Sequence, residues 1–303
     1  MQPKTKAWLS AARLRTLPIS ISGIIVGVAI AASEGFTDVW LAILCILTTI
    51  SYQVLSNFAN DYGDGVKGTD NANRVGPVRA LQSGIISRSE MKKGITITVA
   101  ISMILTIALI YRAFNNDSLL LTVVFLILGI ISVVAAIKYT VGSSAYGYRG
   151  LGDVFVFIFF GLVSVLGSYF LFTKQLNWWV TFPAVSIGFL SVGVLNLNNM
   201  RDRESDADSG KITLVVKIGD QFAKYYHYYI IIAAMFFATV YTIITYDSPI
   251  NFLYFIAFIP LLLHLRRVYA NTNPKELDPE LKKLALSTFL FAVLFAVSIN
   301  IFL

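Results

Sequence analysis

A single cysteine, two histidines and a charged fraction of only 14% mark the 303-residue sequence by what it lacks. With one thiol, Cys45, the chain can form no intrachain bridge, which excludes a disulfide-stapled secreted scaffold. No second thiol could resolve an oxidised state, so Cys45 reads as a small buried side chain rather than a redox centre. His227 and His264 lie in or beside apolar runs, away from the acidic clusters, and read as structural; zinc chemistry and a histidine base are both disfavoured. Ordinary globular proteins carry about 25% charged residues. The deficit here, set against 56% hydrophobic residues, excludes a soluble enzyme with one buried core and a disordered regulator.

What is present is a series of long apolar runs. A bilayer core of about 30 Å needs roughly 20 mostly apolar residues per helix. Segments near 16–33, 39–60, 94–113, 118–138, 153–173, 177–199, 225–246, 250–269 and 284–302 meet that length. The expectation is an all-α polytopic membrane protein, one domain over 1–303 with nine transmembrane helices. Thr173 to Leu176 and Asp247 to Pro249 are links short enough to make antiparallel hairpins.

The net charge of +7 is spread over several loops without a recognition motif, so no nucleic-acid partner is expected. All but Arg112 and Lys174 of the 24 lysines and arginines fall on one side of this nine-span topology. The positive-inside rule then places the N-terminus in the cytoplasm and the C-terminus outside, in a cell (inner) membrane. The first run, which ends in Ala29-Ile-Ala-Ala32, reads as a retained span rather than a cleaved leader.

Two polar clusters interrupt the runs at the cytoplasmic ends of even-numbered helices. One is Asn57-Phe-Ala-Asn60-Asp61-Tyr-Gly-Asp64-Gly-Val-Lys67-Gly-Thr-Asp70. The other is Asn196-Leu-Asn198-Asn199-Met-Arg201-Asp202-Arg-Glu204-Ser-Asp206-Ala-Asp208-Ser-Gly210-Lys211. Helical spacing puts Asn57, Asp61 and Asp64 on one stripe and Asn199, Asp202 and Asp206 on another. Clustered carboxylates at a bilayer edge repel one another unless a cation neutralises them. An oxygen-only set suits Mg²⁺, which completes its shell with water and substrate phosphate oxygens. Two facing acidic stripes therefore suggest a diphosphate held between metals. Their likeness also suggests a weak internal repeat, about 1–140 and 141–303.

These residues resemble the UbiA superfamily of intramembrane aromatic prenyltransferases, whose nine-helix bundle surrounds a central cavity and carries two aspartate-rich motifs. The stretches Leu55 to Asp70, Arg74-Val-Gly-Pro77-Val-Arg79, Gly147-Tyr148-Arg149-Gly150-Leu151-Gly152-Asp153 and Gly210 to Gly219 resemble its menaquinone branch, the 1,4-dihydroxy-2-naphthoate polyprenyltransferases. The resemblance implies transfer of a polyprenyl group from polyprenyl diphosphate to 1,4-dihydroxy-2-naphthoate, with loss of diphosphate and CO₂. One departure concerns Asp70, which lies six residues after Asp64 where the general pattern has four.

Under that reading, Asp61, Asp64, Asp202 and Asp206 are the catalytic metal ligands, with Asp70 beside them, around two Mg²⁺ ions bridged by diphosphate. Asn57, Asn60 and Asn199 would coordinate or orient metal-bound water, and Lys67, Arg79 and Lys211 would contact the diphosphate. Tyr139, Tyr146 and Tyr148 are candidates to shield an allylic cation. Arg149 and Lys138 are candidates for the acceptor carboxylate. Asp153 is a candidate for acceptor binding or proton handling, or simply a helix N-terminal acid. Relatives acting on 4-hydroxybenzoate or homogentisate share the diphosphate half of the reaction. A cation-coupled secondary transporter is the competing reading from another class, disfavoured because the carboxylates sit at helix ends and not at the midplane.

Overall fold

A computed structural model describes residues 3–70, 75–115 and 118–301. Arg74, quoted in one of the motif stretches, and the last residue of the ninth expected segment lie outside the described residues. Among the described residues, nine helices are long and apolar enough to cross a membrane: α1 (Pro3–Ser33), α2 (Val39–Lys67), α3 (Arg88–Phe114), α4 (Leu119–Lys138), α5 (Gly152–Thr173), α6 (Trp178–Arg201), α7 (Leu214–Ile244), α8 (Pro249–Ala270) and α9 (Pro274–Asn300). No strand occurs among them. The protein is an all-α, multi-pass membrane protein.

Several helices extend beyond their apolar runs on the side of the polar clusters, because local capping chemistry sets their ends there. α2 continues to Lys67 and stops at Gly68, whose φ of 76° is a conformation that costs glycine little. α3 starts at a capping box in which Ser87 and Glu90 satisfy each other's backbone donors. α7 starts well before residue 225, where the Thr213 side chain accepts from the Val216 N–H, and is kinked at Gly219 (φ 80°). α1 is a short helix, Pro3–Ala12, followed by a left-handed Arg13 (φ 50°), one 3₁₀ turn and the apolar helix Leu17–Ser33. The second cluster is not one continuous helix: α6 ends at Arg201, Asp202 is the junction, and a separate short helix runs Arg203–Asp208.

α6 is the most buried of the nine spans and α4 the least. Small residues bring helices together, as expected where lipid offers no hydrophobic drive for association. Gly23 and Gly27 of α1 sit against Ser164 and Ser168 of α5, and Gly161 of α5 sits against Gly188 of α6, with no room for a Cβ at any of these four glycines. The two histidines are buried and tie helices together. Nε2 of His227 in α7 lies 2.9 Å from Nε2 of His264 in α8, and Nδ1 of His264 is 2.8 Å from Glu280 of α9. Asn196 of α6 extends this chain to His227 Nδ1 at 3.3 Å.

Candidate active site

The helical ends gather around a cavity of about 410 Å³, within the range of small-molecule sites. Along α2 its wall runs from Cys45 to Asp64. At 1.5 Å per residue that is about 28 Å, close to the thickness of a bilayer core. The Cys45 end is lined by Ile24, Leu109, Phe125 and Leu171, and Phe155, Phe159 and Phe160 continue the apolar wall toward the polar end. The Asp64 end is polar and carries residues from both clusters.

Of the expected site residues, Asn57, Asn60, Asp64, Asp70, Arg79, Tyr139, Tyr146, Asp202, Asp206 and Lys211 line this cavity. The two clusters, about 140 positions apart in the chain, therefore face one space. Asp64 accepts a hydrogen bond from the Tyr148 hydroxyl at 2.8 Å, and Tyr148 in turn pairs with Thr69 at 2.5 Å. Lys211 lies 3.3 Å from Asp206. Arg79 lies 3.7 Å from Asp61 and 3.9 Å from Asp70. Thr140 holds Asn60 through a 3.4 Å hydrogen bond, while Asn57 donates to the Ala12 carbonyl and accepts from Gln53.

The electrostatics follow from burial and crossed charges. Burial alone disfavours the charged ammonium of Lys211, but Asp64 and Asp206 outweigh it and hold this group protonated well above the usual lysine range. Burial pushes Asp206 up to about 6 against the pull of Lys211, with Asp202 and Asp64 adding repulsion. A cation beside Asp206 would favour its charged form. Tyr139 is pushed up to about 12 by burial and is a neutral phenol. Its ring meets that of Tyr146 edge to face at 5.3 Å, and Tyr146 stacks on Phe155 at 3.8 Å.

Other expected residues stand elsewhere. Asp61 is buried but behind the cavity wall, with one carboxylate oxygen 2.5 Å from the Arg13 guanidinium. Lys67 is exposed and rests over the Tyr148 ring at 3.7 Å without lining the cavity. Asn199 is buried without lining the cavity; Asn198, one residue earlier and so about 100° round the helix, lines it instead. Tyr148 acts from behind, through Asp64. Arg149 and Lys138 are exposed outside the cavity, and the Arg149 carbonyl is held by Lys217. Asp153 is buried and takes a hydrogen bond from Tyr226 at 3.3 Å, away from the cavity.

Sequence reading missed Arg13, Gln53, Ser205 and Lys282, which also line the cavity, and the role of Arg201, which binds both oxygens of Asp202. For Arg13 and Arg201 the positive-inside pattern hid the signal, since every cytoplasmic base fits it. The signal was present in a different form: Arg201 directly precedes an acidic residue on a buried helix end.

The donor set fits a hard divalent cation. It is oxygen-only, and Oδ2 of Asp206, a residue of the cavity wall, is buried without a hydrogen-bond partner among the described residues. No three carboxylates converge among those residues to hold a metal unaided. Mg²⁺ keeps several ligand positions for water and phosphate, so one or two carboxylates suffice to hold it.

The fold and cavity together define a multi-pass membrane protein with a charged, polar head region opening onto an apolar shaft. Residues 20–294 match the UbiA prenyltransferase family. The chain is 41% identical over 301 residues to 1,4-dihydroxy-2-naphthoate octaprenyltransferase of Haemophilus influenzae, covering 98% of this chain and 97% of that protein. Among solved structures, the apo UbiA homolog of Aeropyrum pernix superposes with a TM-score of 0.72 at 14% identity, over 94% of this chain and 98% of that one. The UbiA homolog of Archaeoglobus fulgidus bound to GPP and Mg²⁺ gives 0.66 at 14% identity, over 95% and 99%. The chain belongs to the UbiA prenyltransferase family.

Proposed function

We propose that the chain transfers a polyprenyl group from polyprenyl diphosphate to 1,4-dihydroxy-2-naphthoate in a Mg²⁺-dependent reaction. The bond from the prenyl carbon to the diphosphate oxygen breaks, a bond from that carbon to the naphthoate ring forms, and the carboxylate leaves as CO₂. With the diphosphate leaving fully ionised, the exchange balances without a proton. The single observation that carries the reading is the shared cavity: both acidic clusters meet at one end, and an apolar, aromatic-lined shaft of membrane depth continues from it.

Asp64 on one side and Asp202 with Asp206 on the other would hold Mg²⁺ ions, with Asp70 on the cavity wall and Asp61 behind it, and the metal would draw charge from the diphosphate oxygens. Lys211 and Arg79 neutralise charge developing on the leaving group; both belong to the cavity wall and cost no reorganisation at that moment. The faces of Tyr139 and Tyr146 and the neighbouring phenylalanines keep water from an allylic cation and stabilise it through their π-electrons. The prenyl tail occupies the apolar shaft. The substrate head group enters from the cytoplasm, with the N-terminus on that side and the C-terminus outside, as the distribution of basic residues supports.

The reading is tested by incubating the purified chain in detergent with a polyprenyl diphosphate, Mg²⁺ and either the naphthoate or 4-hydroxybenzoate. Prenylated naphthoate is expected. Turnover of 4-hydroxybenzoate with an inert naphthoate would overturn the acceptor assignment.

A further inference from the structure

The Arg201 guanidinium is buried at the junction of α6 with the second acidic cluster, and one of its partners belongs to neither cluster. Its side chain is 1% exposed. Nε donates to Oδ1 of Asp202 at 2.9 Å and Nη2 to Oδ2 at 2.6 Å. Nη2 also donates to Oδ1 of Asn198 at 2.9 Å. The remaining arm, Nη1, donates to Oδ1 of Asp278 in the first turn of α9 at 2.5 Å. The second oxygen of Asp278 lies 4.0 Å from Arg15 of α1.

A guanidinium forked onto one carboxylate cancels most of its charge, and a cancelled carboxylate is a weak ligand for a divalent cation. Asp278 alters that balance. It takes the third arm of the same guanidinium, draws its positive charge toward α9, and fixes the plane of the fork through a second helix. A carboxylate oxygen can accept more than one bond, and Asp202 lines the cavity.

We propose that Asp278 is a positioning residue for the metal site: by sharing the Arg201 guanidinium with Asp202, it leaves Asp202 the charge and orientation needed to ligate a divalent cation. This rests on the reading of Asp202 as a magnesium ligand. α9 thereby takes part in metal binding without carrying a ligand, since partners behind metal ligands tune both orientation and affinity.

The test uses the full-length protein in detergent, with Mn²⁺ as the probe, followed by electron paramagnetic resonance in the presence of inorganic diphosphate. Asp278→Asn is expected to weaken Mn²⁺ binding by about 10- to 100-fold and to raise the Mg²⁺ needed for half-maximal turnover by a similar factor. Turnover at saturating Mg²⁺ should change far less, and Asp278→Glu should recover most of the affinity. Unchanged Mn²⁺ affinity in Asp278→Asn, whether or not its melting temperature falls, would overturn the proposal and leave only a brace between helices. Should Asp278→Asn not fold, Asp278→Ser decides: weakened Mn²⁺ binding upholds the proposal and wild-type binding overturns it. Equal Mn²⁺ affinity in wild type and Asp202→Ala would instead contradict the reading of Asp202 as a ligand, a separate failure.

Discussion

At the scale of single residues, the account rests on carboxylates whose charge is balanced by buried cations from distant parts of the chain. Replacing Asp202 by Ala is expected to cut turnover at least 100-fold with the protein still folded, the scale on which preorganised charge contributes to rate. Steady-state kinetics beside a thermal melt checks this. Arg13→Gln should act on stability as well, because it removes the 2.5 Å partner of a nearly inaccessible Asp61. Leaving such a charge uncompensated costs about 3–5 kcal/mol, and Arg79 at 3.7 Å should hold the loss near the lower end. A melting temperature indistinguishable from wild type would contradict that role. The acidic residues were legible in the sequence, since carboxylates in two matched groups are conspicuous in so apolar a chain. Arg13, Arg201 and Asp278 were not, because a basic residue near a cytoplasmic helix end already has a topological explanation and a lone aspartate at a helix start is a common cap.

At the scale of helices, hydropathy located every span but not the ends that build the site. The apolar run of α2 stops near residue 60, yet the helix continues through Asp61 and Asp64 to Lys67 and its glycine cap. This continuation turns Asp64 into the same cavity as Asn57. In the second cluster Asp202 and Asp206 share the cavity across the junction at Asp202, but Asn198 rather than Asn199 joins them. Which side of α6 faces the cavity is set by how the helices pack, which no local pattern encodes. Two outcomes follow from the helix packing. Gly27→Val would drive a side chain into Ser168 of α5, and a strained close crossing of this kind costs about 1–3 kcal/mol, measurable as reduced resistance to thermal aggregation in detergent. Cys45→Trp would fill the deep end of the shaft. Activity with long polyprenyl diphosphates should fall while activity with a short allylic diphosphate persists; equal losses for both would argue against a tail lying along α2.

At the scale of the whole molecule, the chain is a bundle in which α6 forms the buried centre and the polar residues concentrate at one end of a membrane-deep cavity. The orientation can be measured with one added cysteine at a time, since Cys45 is 2% exposed and should not react with an impermeant thiol reagent. Lys174→Cys is expected to label from outside in intact cells, and Lys275→Cys only after permeabilisation; the reverse pattern would invert the topology. The fold class was legible from composition and run length, because lipid admits few architectures. That the two clusters face one cavity was legible from their likeness and from the family resemblance, but which residues line it was not, since that depends on how α2 and α6 meet across the bundle. The most direct test of that cavity as a prenyl-transfer site is the stoichiometry of products from purified protein supplied with polyprenyl diphosphate, carboxyl-labelled 1,4-dihydroxy-2-naphthoate and Mg²⁺. Diphosphate, labelled CO₂ and prenylated ring should appear in equal amounts and cease together when the metal is chelated. Diphosphate release without a prenylated ring, or substrate flux into liposomes without any covalent product, would contradict it.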